Sequence, residues 1–176
     1  MIEEKIRLMR IVRVEDIIMG SINKIDLVCD YIITKLDEAS DRPSLLKIQK
    51  LLYYVQAWHL ALHDKPMFNG KFQAWVHGPV NRHIYDRFKG TKLLYSHISV
   101  KDVLYPDCND QLTDVEREHI DEVLENYGEF SGAQLERLTH TEAPWLSARG
   151  RLPSSARCEV ELDEKCMKET YRSMLK

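Results

Sequence analysis

His59 and His63 stand four residues apart, the spacing at which one face of a helix offers two metal ligands. No carboxylate or cysteine completes a ligand set at helical spacing, and the glutamate of a His-Glu-x-x-His zinc helix is missing. The pair therefore reads as the edge of a helix interface, and neither a metal nor another cofactor is expected. Nucleophilic chemistry has as little support. Cys29, Cys108, Cys158 and Cys166 lie far apart with no Cys-x-x-Cys pair, the pattern of reduced thiols, and no cysteine or serine sits in a recognisable nucleophile context. A Cys/His hydrolase, whose groups would meet only in the fold, ranks last among the alternatives. Gly78-Pro79 lacks the glycine spacing and the lysine of a phosphate loop. What remains suits binding. Trp75 and His77 beside Arg82 and Tyr85 assemble the Trp, Tyr and Arg side chains that dominate protein interfaces. The competing reading makes Trp75 a core residue whose N–H is satisfied locally. Thr139, His140, Glu142 and Trp145 could line a pocket, but ahead of Pro144-Trp145 the pattern better fits a helix-to-turn cap with the tryptophan as a plug.

These residues need elements to position them, and the strongest is a helix over residues 44–63. Apolar side chains recur at 45, 48, 52 and 55 and again at 51, 55, 58 and 62, a broad buried face that places this helix at the centre of a mainly α, multi-helix domain. A preceding helix runs from about 23 to Leu36, so the two form an antiparallel pair. Asn69-Gly70 signals a two-residue turn in a small β-hairpin over about 67–77, with Phe72, Ala74 and Val76 on one side and Gln73, Trp75 and His77 on the other. Gly78-Pro79 is expected to open a helix with Val80, Ile84 and Phe88 as its stripe and Gly90 as its cap. Residues 100–105 fit a strand or a single turn. Thr113 and Glu116 make a capping box for a helix using Val115, His119, Ile120, Val123, Leu124 and Tyr127, and Ser131 repeats the device for Leu135 and Leu138. A basic loop over 149–155 then leads to a last helix, capped by Asp163, with Met167 and Tyr171. Residues 1–22 read as an N-terminal extension with only a faint helical pattern, and 23–176 as one domain.

Composition narrows the function classes. Among 176 residues the net charge is only −3, and no apolar run reaches the ~18 residues that cross a bilayer. The N-terminus lacks the apolar segment of a secretory signal, so a cytoplasmic location is expected. The charge is unevenly placed: residues 41–92 carry nine Lys/Arg against three Asp/Glu, and residues 93–145 carry three against twelve. Such opposed halves attract each other across the fold or a homodimer contact, or else form a docking surface for a charged protein, with Glu118 and Glu122 on the acidic 113–129 helix as contact candidates. Nucleic acid is disfavoured, since the domain as a whole is not basic.

The run from Leu46 to His59, then Phe72-Gln73-Ala74-Trp75-Val76-His77-Gly78-Pro79-Val80 with Tyr85, and later Tyr127-Gly128, Ser131-Gly132, Leu135 and the stretch Leu138 to Trp145, resembles the Panacea, or SocA-type, antitoxin domain. The likeness covers residues 24–150. Lys47, Gln49, Gln56, Trp58, Gly78, Pro79, Thr139, His140, Glu142, Pro144 and Trp145 are the motif positions, and the family usually has a tyrosine where His77 stands. The resemblance implies a helical, non-enzymatic protein of a bacterial or prophage toxin–antitoxin pair that binds and neutralises a cognate toxin. It also implies an alternative, an adaptor that delivers the toxin to a Clp-type protease. Some family members carry an added DNA-binding domain, for which residues 1–22 are too few.

Overall fold

Sixteen of the nineteen residues from Leu45 to His63 are buried, so this helix must be covered on nearly every side. The computed structural model describes residues 22–175 and shows how the cover is built. In chain order the elements are α1 (Lys24–Glu38), the central α2 (Leu45–His63), β1 (Phe72–Trp75), β2 (Gly78–Asn81), α3 (Arg82–Phe88), α4 (Cys108–Gln111), α5 (Asp114–Tyr127), α6 (Gly132–Thr139), α7 (Ala143–Arg149) and α8 (Glu164–Ser173). Helices α1, α5, α6 and α8 and strand β2 all pack on α2. The fold is mainly α with one small hairpin. The extension expected over residues 1–22 lies outside the described residues except for Ile22, which packs on the core. No described helix is long and apolar enough to cross a membrane.

Local signals set most helix ends. The Ser44 hydroxyl accepts from the Lys47 N–H, and Asp64 adopts a left-handed conformation (φ 59°) that closes α2 just ahead of Lys65-Pro66. Thr113–Glu116 and Ser131–Gln134 both form reciprocal capping boxes. Val115 and Leu138, expected on apolar faces, are instead exposed, the first in the opening turn of α5 and the second near the end of α6. Residues 100–102 form a single 3-10 turn.

The hairpin sits further along the chain than the Asn69-Gly70 signal suggests. Its strands pair antiparallel from Phe72↔Asn81 to Trp75↔Gly78, which makes Val76-His77 the turn. The 67–68 segment is unavailable as a strand because α2 captures it: the Gln56 carboxamide donates to the Phe68 carbonyl and accepts from the Met67 and Phe68 N–H groups. Nor does Gly78-Pro79 open a helix. Asn81 is the N-cap of α3, its side chain accepting from the Ile84 N–H, so the helix starts four residues later than the Gly-Pro signal places it. Pro79 is tolerated within β2 because it faces Ala74, whose N–H points the other way and donates to the Val160 carbonyl. The 160–162 segment thus flanks β1 on its second side, with Leu162 N–H donating to Phe72.

Two polar clusters fasten the outer elements. Arg87 of α3 bridges Asp26 and Asp30 of α1, while Asp30 also accepts from the Leu104 and Tyr105 N–H groups. Burial raises the Asp30 pKa, and Arg87 and these N–H groups pull against that shift. In the second cluster Glu142 occupies the N-cap position of α7 without capping it. Its carboxylate instead accepts from the hydroxyls of Tyr54 (3.0 Å) and Tyr171 (2.6 Å), joining α2, α7 and α8. The cap reading of this residue therefore fails for its side chain: two buried phenols offer it stronger partners than a helix end open to water. Tyr54 stacks on Tyr127 at 4.0 Å, and the Trp58 indole donates to the Tyr127 hydroxyl.

Gly78 sits at a close approach between the hairpin, α2 and α6. Its φ is +91°, and a Cβ there would lie 2.7 Å from both Lys50 Cε and Thr139 Oγ1. Gly78→Ala should lower stability by at least the ~1–3 kcal/mol of a non-glycine residue held in such a conformation. An unshifted denaturation midpoint would refute this account of the turn.

Candidate functional site

The exposed constellation at the hairpin is held from beneath by α2. The Gln49 carboxamide donates to the Asn81 carbonyl and accepts from the Asn81 N–H (2.8 Å), occupying the outer edge of β2 as a strand residue would. One residue on, Lys50 Nζ donates to the Pro79 carbonyl at 3.0 Å. From the other side the Trp145 indole donates to the Trp75 carbonyl, and its ring stacks on His140 at 4.1 Å, so this tryptophan does plug the structure. Arg149, expected to begin a basic loop, instead ends α7 and is buried. Its guanidinium donates to the carbonyls of Ala74, Pro153, Ser154 and Ala156. Its partners are main-chain oxygens, which no residue pattern announces. Lys47 joins Asp41 to the Gly128 carbonyl. The residues of the sequence motif act here as pins between elements.

On this base stands a groove of about 480 Å³, walled by Trp75, His77, Arg82 and Tyr85 together with Lys89 and residues 157–159. The Trp75 and Tyr85 rings meet edge-on at 4.8 Å, and the Arg82 guanidinium lies 5.9 Å over Trp75. The Trp75 N–H is satisfied locally by Gln73 at 2.8 Å, yet its ring is only half-buried. The local N–H partner is the one the core reading expects, but the ring itself is not a core residue. His77 Nδ1 lies 3.2 Å from Glu136 and 3.3 Å from the Tyr95 hydroxyl. Of the six contact candidates, Trp75, His77, Arg82 and Tyr85 come together. Glu118 and Glu122 do not: they belong to α5, where Glu122 lines a separate cleft with Trp58 and His119.

The family described as "Antitoxin SocA-like, Panacea domain" matches residues 48–146, which include the hairpin, the aromatic pair and every pin from Gln49 to Trp145. Antitoxin SocA of Caulobacter vibrioides (strain NA1000 / CB15N) is 31% identical over 149 residues, covering 78% of each chain. The chain belongs to the SocA-like antitoxin family. No solved structure matches it.

In this Panacea domain the histidine cluster and the buried Cys29 thiol lie away from the groove and are engaged by the fold. His59, His63 and His119 cluster with ring centres 4.5–5.9 Å apart. His59 Nδ1 engages the Lys65 carbonyl and His119 Nε2 the Val55 carbonyl, and no group of three or more His, Cys, Asp or Glu converges on a metal position among the described residues. Burial pushes the Cys29 thiol far up, away from nucleophilic chemistry. The feature the sequence reading missed is Lys50. It falls on the same helical face as Leu46, Tyr53 and Ala57, all buried, and that position was the available signal. Fully buried, it has its pKa brought from 10.5 to about 7 by loss of water, with Glu136 opposing the shift.

Between about pH 7 and the ordinary lysine value the unfolded chain binds more protons than the folded one, so this group makes stability rise with pH over that window. Lys50→Met should remove a slope of up to ~1.4 kcal/mol per pH unit from urea-denaturation stabilities measured between pH 7 and 9. Parallel pH profiles for the two proteins would rule this out.

Proposed function

We propose that this chain is a cytoplasmic antitoxin that neutralises a cognate protein toxin by direct, stoichiometric contact through the Trp75–Tyr85 groove. The observation that carries the reading is membership of the SocA-like family along 99 consecutive residues, with a named antitoxin alignable over 78% of the chain. The groove supports the choice of surface. Its two aromatic rings are half-exposed on a backbone fixed at both strands by side-chain hydrogen bonds, so binding costs little ordering entropy. The main buried amine, Lys50, is fully buried and donates to the Pro79 carbonyl, a structural use that favours a binding role over catalysis.

Co-expression with the product of the adjacent gene tests the proposal. That product should arrest growth alone and be harmless with this chain, and the two should co-purify. A neighbour that is never toxic, or one whose toxicity this chain does not relieve, sinks the reading. Toxin that disappears only when a Clp-type protease is present would instead assign the adaptor role. In the same assay Trp75→Ala and Tyr85→Ala should each weaken toxin binding by about 2 kcal/mol, roughly 30-fold by calorimetry, without lowering the melting temperature by more than a few degrees.

A further inference from the structure

We infer that the Trp75–Tyr85 groove takes an acidic segment of its protein partner, one in which carboxylates flank a single large apolar side chain. The identity of that partner as a toxin rests on the function proposed above, whereas the chemistry of the occupant comes from the groove itself. Its floor is apolar and already satisfied. The Trp75 N–H is held by Gln73, leaving the indole and the Tyr85 ring to offer area and π-faces rather than hydrogen bonds. Cys158 beside them is buried. A volume of about 480 Å³ accommodates one bulky side chain and the backbone on either side of it.

The rim is basic. Arg82, Lys89 and Arg157 line it against one acid, Glu159. Glu159 is neutralised in place by Arg157, at 2.5 Å, and is approached by Arg82 at 3.8 Å. Lys89 has no ion-pair partner among the described residues and is exposed, and the Arg157 side chain is 84% exposed. One unpaired cation, Lys89, therefore remains at the mouth of the groove, beside Arg82 and Arg157, whose heads stay exposed while each pairs with a carboxylate, in a chain whose overall charge is −3. Anionic groups on a partner would be drawn to this rim, and the apolar floor would hold what lies between them. A nucleic acid fits less well. A sequence pI of about 6.2 is far from the extended basic face that tracks phosphates, and a rim with one unpaired cation is too short to follow a phosphate backbone.

The test uses the full chain and three labelled probes in fluorescence anisotropy: a peptide of about eight residues with glutamates flanking one central leucine, its lysine-for-glutamate counterpart, and an oligouridylate of about 20 nucleotides. The acidic peptide should bind about 10-fold or more tighter than the basic one, with the advantage shrinking as salt rises from about 50 to 500 mM. The triple variant Arg82→Glu, Lys89→Glu, Arg157→Glu should reverse the preference. Should that variant fail to fold, Lys89→Glu alone, at an exposed position, should reduce the preference by about 3-fold. Equal binding of the two peptides, binding of neither, or tighter binding of the oligouridylate would overturn the inference. Because the peptides need no toxin, this result stands or falls apart from the co-expression experiment. A charge-reversed chain that neutralises a toxin as well as the unaltered chain would remove the groove from that interface.

Discussion

Backbone polar groups brought against the inside of a protein must find partners, and in this molecule one helix provides many of them. A helix buried along sixteen of its residues has hardly any wet face on which to place polar side chains, yet α2 carries Gln49, Lys50 and Gln56 inside. Each reaches a main-chain group of a non-helical segment: Gln49 the edge of β2, Lys50 the carbonyl of Pro79, Gln56 the loop at 67–68. Without them the hairpin edge would be left unpaired against the core, at a cost of about 1–3 kcal/mol for each orphaned group. The hairpin, and with it the aromatic groove, is a consequence of these hydrogen bonds as much as of strand pairing.

That dependence explains which parts of the fold were legible in the sequence. The 3.6-residue period of α2 and α1 and the capping boxes at Thr113 and Ser131 are local signals, and the structure follows them. Asn69-Gly70 is an equally local signal, but Gln56, more than ten residues away, takes the hydrogen bonds a strand there would need, and the turn moves to Val76-His77. Glu142 misled in the same way: its spacing suits a cap, while its partners are tyrosines from α2 and α8. At the groove, residue types alone pointed to Trp75, His77, Arg82 and Tyr85. The acidic residues of α5 share a charge pattern with that surface but not a location, because charge along a chain carries no information about which faces meet.

The residues that carry the family likeness include the groove's Trp75, His77 and Tyr85 but not its basic rim. Gln49, Gln56, Gly78, Thr139, His140 and Trp145 join elements from within. Arg82, Lys89 and Arg157 sit at the rim, and Arg157 lies outside the stretch that matches the family. A scaffold arranged in this way allows the rim to vary without disturbing the hydrogen bonds that hold the hairpin.

The covering of α2 is completed by α8, whose Tyr171 hydroxyl closes the carboxylate of Glu142 and whose ring meets Tyr53, Tyr54 and Trp58 edge-on. During synthesis this side of the central helix emerges from the ribosome more than a hundred residues before the segment that shields it. Until then the nascent chain displays a greasy flank, and Glu142 at its border has only the Tyr54 hydroxyl of its two phenol partners. The central helix is therefore fully covered only after residues 164–173 have been translated and docked.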